Sequence, residues 1–164
     1  MNTNLELNLK VNYLRTLWKE FCEAHTKLYE VTCDEYLHLM SSDMDELEIS
    51  VESKGKIIEL IDNLDRHRKE TIKDISGMLN IEVPKNISEL LSNNDIDPMA
   101  KEEVEKLNLV LLDIIEKIID QNKKNQFFLN KAIHSLKELK DSFSGKTNYN
   151  TYSAAGVARN NNTY

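Results

Sequence analysis

Residues 98–143 read PMAKEEVEKLNLVLLDIIEKIIDQNKKNQFFLNKAIHSLKELKDSF, with no glycine and no proline after Pro98. An apolar stripe runs through them at alternating three- and four-residue steps: Val104, Leu107, Leu111, Ile114 and Ile118, then Phe128, Ala132, Leu136, Leu139 and Phe143. That period belongs to one face of an α-helix. At 1.5 Å per residue the helix would be about 65 Å long. Its apolar seam is interrupted once, by the amides Gln121, Asn122 and Asn125. Asp97 before Pro98 reads as an N-cap followed by proline in the first turn, so the start of the helix is marked as well.

Upstream, residues 80–97 have a different texture. Val83-Pro84 ends a helical pattern, Asn93-Asn94-Asp95 is loop composition, and Ile87 to Leu91 is long enough for a single helical turn. Before this connector the stripe resumes through Leu47, Val51, Ile58, Ile61, Leu64, Ile72, Ile75 and Leu79. It is preceded by Ser42 and Asp43, either of which can cap the free amides, with Asp45 or Glu46 three residues on as in a capping box. Gly55 weakens this helix by about 1 kcal/mol against alanine without stopping it. The first stripe is Leu7, Val11, Leu14, Trp18, Phe21, His25, Leu28, Thr32 and Leu39, widened on one flank by Leu17, Ala24 and Val31. Helices separated by so short a turn are antiparallel neighbours. The reading is therefore an all-α chain. An antiparallel, coiled-coil-like hairpin (about 7–40 and 43–79) is joined by a third long helix (98–143), so that residues 1–143 form a helical bundle.

Residues 144–164 are a tail. It is Asn-rich, has no periodicity, and contains Val157 as its one large aliphatic residue, so it is expected to be disordered in isolation.

Composition narrows the function classes. Four glycines and two prolines in 164 residues are too few for a β-sandwich or a glycine-rich nucleotide-binding domain. No apolar run reaches the length of a bilayer span, and residues 1–6 show no basic-then-apolar leader. The net charge is −7. Residues 1–120 hold 14 basic and 26 acidic residues, giving −12, and the remainder holds seven basic and two acidic, giving +5. An acidic body disfavours nucleic acid and anionic lipid. Cys22 and Cys33 are eleven residues apart on one helix, about 16 Å along its axis, so they are expected as two reduced thiols in a cytosolic protein.

Catalytic chemistry has little to work with. None of the four histidines is paired with another His or Cys at i, i+4. Asp34 and His38 are one turn apart, but two ligands do not make a metal site. His25 lies on the core stripe and is read as a packed, hydrogen-bonded histidine. There is no phosphate loop, nucleophile elbow or His-Glu-x-x-His motif, so no enzyme, cofactor or metal is expected. Binding remains. Seam amides either set the register of the bundle or align a partner helix. Just beyond them Phe127, Phe128 and Leu129 are consecutive and point over more than half the circumference of the helix, more than a narrow core covers. An apolar remainder of this kind marks an interaction surface.

These pieces together resemble the FlgN-type flagellar export chaperones, from about Val11 to Val157. The resemblance rests on Asp43 and Leu47 at the second helix start, Lys54 and Arg68 along it, and Asn122 and Asn125 before Leu129. It ends in the tail motif Thr151-Tyr152-Ser153-Ala154-Ala155-Gly156, where Ser153 replaces the usual glycine. The resemblance implies a non-enzymatic cytosolic protein. It would bind the C-terminal amphipathic segments of hook–filament junction (hook-associated) proteins, prevent their premature assembly and deliver them to the type III export gate. It further implies client contact at Asn122, Asn125, Phe128, Leu129, Ala132, Ile133 and Leu136, and contact with the cytosolic domain of the gate at Tyr152. The alternative is a structural coiled coil that self-associates through the third helix and has no export clients. A homodimer is compatible with either reading.

Overall fold

The computed structural model describes the backbone of residues 2–145, 150–152 and 158–160 and the side chains of residues 4–145. The three expected long helices are α1 (Asn2–Ser41), α2 (Met44–Leu79) and α4 (Pro98–Phe143). A single short helix, α3 (Ile87–Leu91), interrupts the connector. Grouped by close contacts, the chain divides within α4 into residues 1–125 and residues 126–164.

In the first unit, α1 and α2 are joined by a tight turn. Ser42 takes a left-handed conformation (φ 56°), its N–H bonding Leu39 O at 3.4 Å while the Asp43 N–H bonds His38 O at 3.1 Å. This reciprocal pair is the Schellman pattern, which satisfies the last free carbonyls of α1. Asp43 then caps α2, its Oδ1 accepting from Glu46 N at 3.2 Å. Of the two cap residues the sequence offered, Asp43 therefore starts α2 and Ser42 ends α1. Ion pairs fix the antiparallel register of the hairpin: Lys10 with Asp74 at 2.7 Å and Lys54 with Glu35 at 3.0 Å. Helix α4 up to Asn125 lies alongside, parallel to α1, as Trp18 Nε1 donating to Asn108 Oδ1 and Asn125 Nδ2 donating to Thr32 O require.

The core follows the stripe of α1 closely. Leu7, Val11, Leu14, Trp18 and Phe21 are buried, with Leu17 and Ala24 on the expected flank. Each of the Val, Leu and Phe side chains among them contributes about 1.5–3 kcal/mol of transfer free energy. The connector closes one end of this core. Asn86 caps α3 through Glu89 N, Glu89 in turn accepts from Lys85 N, and Ile87, Leu90, Leu91 and Ile96 are buried. Asp97 Oδ2 accepts from Ala100 N at 2.9 Å, the expected cap before Pro98.

One stripe is corrected by the structure. On α2, Val51 and Ile58 are 54% and 43% exposed rather than inward. The inward row upstream of Leu64 runs through Ile61, Ile57, Lys54 and Ser50. Two polar residues occupy core-facing positions because Ser50 is small and Lys54 has ready-made partners, described below.

The second unit contains the last turns of α4, which close at Gly145 (φ 69°). It also holds a two-stranded antiparallel ladder, β1 (Asn150–Tyr152) with β2 (Ala158–Asn160), that was not anticipated from the sequence. The expectation of a disordered tail otherwise concerns residues 146–149, 153–157 and 161–164, which lie outside the described residues.

Candidate functional site

A row of positions at seven-residue spacing on α4 locates the change of environment along the helix. Val104, Leu111, Ile118 and Asn125 are buried, at 0, 8, 6 and 3% exposure. The next position, Ala132, is half-buried, and Leu139 is 55% exposed. Seven residues are nearly two full turns, so these side chains share one face. Apolar side chains beside the row follow the same trend: Leu129 is 37%, Ile133 54%, Leu136 65% and Phe143 91% exposed. Phe128 is half-buried. Phe127 lies off this face, 67% exposed, with the Lys131 ammonium 5.5 Å from its ring centre.

The change occurs at a polar network. Lys54 Nζ donates to Glu35 Oε2 at 3.0 Å and to Asn122 Oδ1 at 2.8 Å, tying α2 to α1 and α4 at once. Asn125 Nδ2 donates to Thr32 O at 2.8 Å and to Glu35 Oε1 at 3.3 Å, and Gln121 Nε2 donates to Asn125 Oδ1 at 3.0 Å. Among the described residues no buried side-chain polar atom lacks a partner. Leaving the buried Asn125 amide without partners would cost about 1–3 kcal/mol, so its bonds favour the register in which α4 meets Thr32 and Glu35. The structure thus brings together Lys54, Asn122 and Asn125, and supplies a member that the sequence reading missed. Glu35 fills the gap in the α1 stripe between Thr32 and Leu39, and that gap was the available signal.

Fourteen residues along α2 from Lys54, Arg68 donates to Asp65 Oδ1 through Nε (2.9 Å) and Nη2 (2.6 Å), and Lys69 reaches Asp65 Oδ2 at 2.7 Å. Burial pushes the Asp65 carboxyl up, but the hydrogen bonds and charges of Lys69 and Arg68 outweigh it and hold the group below its ordinary value. Asp65 and Arg68 border a cleft of 340 Å³ between α2 and α4, with Trp18, Phe21 and His25 of α1 also lining it. His25 Nδ1 is 2.7 Å from Phe21 O, the packed and bonded histidine expected. The Cys22 thiol is pushed up by burial, and both cysteines are free. Asp34 and His38 gain no third ligand: among the described residues no group of three His, Cys, Asp or Glu is placed to hold a metal ion.

The family model for the FlgN protein matches residues 3–160. The chain belongs to the FlgN family. FlgN proteins are a chaperone family of flagellar protein export, and that general role comes to this chain with the family. No curated protein and no solved structure was found to match. The residues that carry the FlgN resemblance have visible structural work: Asp43 caps α2, Lys54, Asn122 and Asn125 form one network, and Arg68 anchors Asp65. No helix among the described residues is long and apolar enough to cross a membrane. The backbone of Tyr152 pairs with Ala158, and its side chain lies outside the described residues.

Proposed function

We propose that this FlgN protein works in the cytoplasm. It holds the C-terminal amphipathic segments of hook–filament junction proteins on the last turns of α4 and presents them to the export gate through Tyr152. The supporting observation is the exposed continuation of a core face. Leu129, Ile133 and Leu136 stay open to solvent on the same helix side that is buried at Leu111 and Ile118. Phe128 and Ala132 complete the client face, with Asn122 and Asn125 at its root.

The physics suits a transient complex. A client helix is sticky because its apolar side is meant for polymer packing, and a second apolar helix face competes for that side. Covering about 600–800 Å² of apolar surface supplies a gross term of about 15–20 kcal/mol, most of it offset by ordering costs, which leaves room for reversible binding.

The test uses two variants and two partners. Leu136→Asp alters an exposed position, so the protein should fold normally yet lose at least about tenfold in affinity for a client C-terminal peptide. Tyr152→Ala should bind the peptide normally and weaken docking to the purified cytosolic domain of the gate. Calorimetry reads both. Undiminished peptide binding by Leu136→Asp removes the client site, and equal loss of both partners in Tyr152→Ala removes the division of labour.

A further inference from the structure

The cleft of the first unit carries hydrogen-bonding groups that its own walls do not use up. Ile61 and Asp62 of α2 and Leu112 and Ile115 of α4 line it, together with the buried Trp18 and Phe21 of α1. Donors along these walls are mostly spent inside the protein. Trp18 Nε1 donates to Asn108 Oδ1 at 3.3 Å, and Arg68 Nε and Nη2 donate to Asp65. Acceptors remain. His25 Nδ1 lies 2.7 Å from Phe21 O, and a carbonyl only accepts, so the proton sits on Nδ1 and the neutral ring presents Nε2 as an acceptor. Nε2 has no partner among the described residues, where no buried side-chain polar atom lacks one, so Nε2 is open to solvent. The Asp62 side chain likewise has neither hydrogen bond nor ion pair among the described residues. Asp65 answers the charge of Arg68, which leaves the cleft with the unanswered carboxylate of Asp62.

A volume of 340 Å³ stands at the small end of ligand sites, which run from about 300 to about 1,000 Å³, and suits a single long side chain. Apolar walls, spare acceptors and one spare negative charge match an occupant with an apolar stem and a cationic head rich in donors. One turn farther along each helix come Ile58 and Ile119, 43% and 48% exposed, before the Lys54–Asn122 contact closes the walls together. A small molecule in the cleft would leave these rims bare, whereas a polypeptide with apolar residues beside its basic one covers them. We infer that this α2–α4 groove receives an arginine of a partner polypeptide, flanked there by apolar residues, with the stem against Ile61 and Leu112 and the guanidinium at Asp62 and His25 Nε2. A guanidinium is more weakly hydrated than an ammonium and its planar fork fits a carboxylate, so lysine is the poorer occupant. Residues 1–125 hold 16 basic and 26 acidic residues, giving −10, a field that steers a basic segment toward this unit. The site uses no residue of the client face proposed above and does not rest on it.

Trp18 is the only tryptophan in the chain, so its indole N–H resonance reports on the cleft. The probe is the peptide acetyl-Leu-Arg-Leu-amide, titrated into the full-length protein up to about 10 mM. Its control is the same peptide with citrulline, the neutral isostere, in place of arginine. The arginine peptide should shift the Trp18 resonance saturably, and the citrulline peptide should bind at least about tenfold more weakly. Asp62→Asn should bring the arginine peptide down to the citrulline level. Asp62 is exposed, so circular dichroism and the thermal midpoint should match the parent. Glu48→Gln removes an exposed carboxylate fourteen residues earlier on α2 and should change the affinity by less than about twofold. No saturable shift, equal binding of the two peptides, or an Asp62→Asn variant that binds like the parent overturns the inference. So does an equal loss in Glu48→Gln, which would reduce the effect to the general attraction of an acidic chain for a cation.

Discussion

Lys54 shows how one side chain organises three helices. Its ammonium lies between a carboxylate and an amide, and the side chains of Lys54 and Glu35 are only 18% and 16% exposed. Removing the cation leaves Glu35 charged and poorly solvated. Lys54→Met is therefore expected to lose about 2 kcal/mol of stability in urea unfolding. Glu35→Gln added to Lys54→Met should recover part of that loss, because a neutral amide needs no counter-charge. No recovery in the double variant would mean that packing, not charge, sets the effect. The same pair marks the limit of reading by hydropathy. A stripe of apolar residues reports where oil is buried, and Val51 and Ile58 looked the part. The true inward row passes through Ser50 and Lys54, and the polar partner that makes it stable, Glu35, lies on another helix.

Helix ends were more legible than helix faces, because caps are local chemistry. Asp43, Asn86 and Asp97 each accept from a backbone N–H three residues on, and Asp43 and Asp97 stand where the sequence signals put them. The turn after α1 carries a penalty that the sequence alone does not reveal. Ser42 holds φ at 56°, where a Cβ is crowded, while Asn80 ends α2 at φ 53° with a side chain that tolerates this region better. Ser42→Gly is expected to raise stability by about 1 kcal/mol, seen as a thermal midpoint a few degrees higher. Asn80→Gly should give clearly less. A smaller gain from Ser42→Gly than from Asn80→Gly would contradict this account of the turn.

For the whole molecule, the all-α class and the three long helices were readable because the stripes are long and breakers are few. The pairing of Asn150–Tyr152 with Ala158–Asn160 was not, since the tail has no alternation to signal strands. The exposed apolar face at the end of α4 was legible as excess apolar residues around Phe128. The groove between α2 and α4 was not, because it depends on which of two adjacent rows α2 turns inward. The connector adds a further test. Leu90 is fully buried at the end of the core, so Leu90→Ala should lower the unfolding free energy by about 3 kcal/mol while leaving α-helical content near that of the parent at low temperature. A negligible change would mean that the end of the bundle is not sealed by α3. The tight turn at Ser42–Asp43 also bears on how the chain assembles. Joining α1 to α2 closes almost no loop, so their contacts form at minimal entropic expense, whereas bringing α4 home requires the whole segment from Asn80 to Asp97 to be drawn together. During synthesis the first hairpin is thus available as a template before the third long helix has left the ribosome.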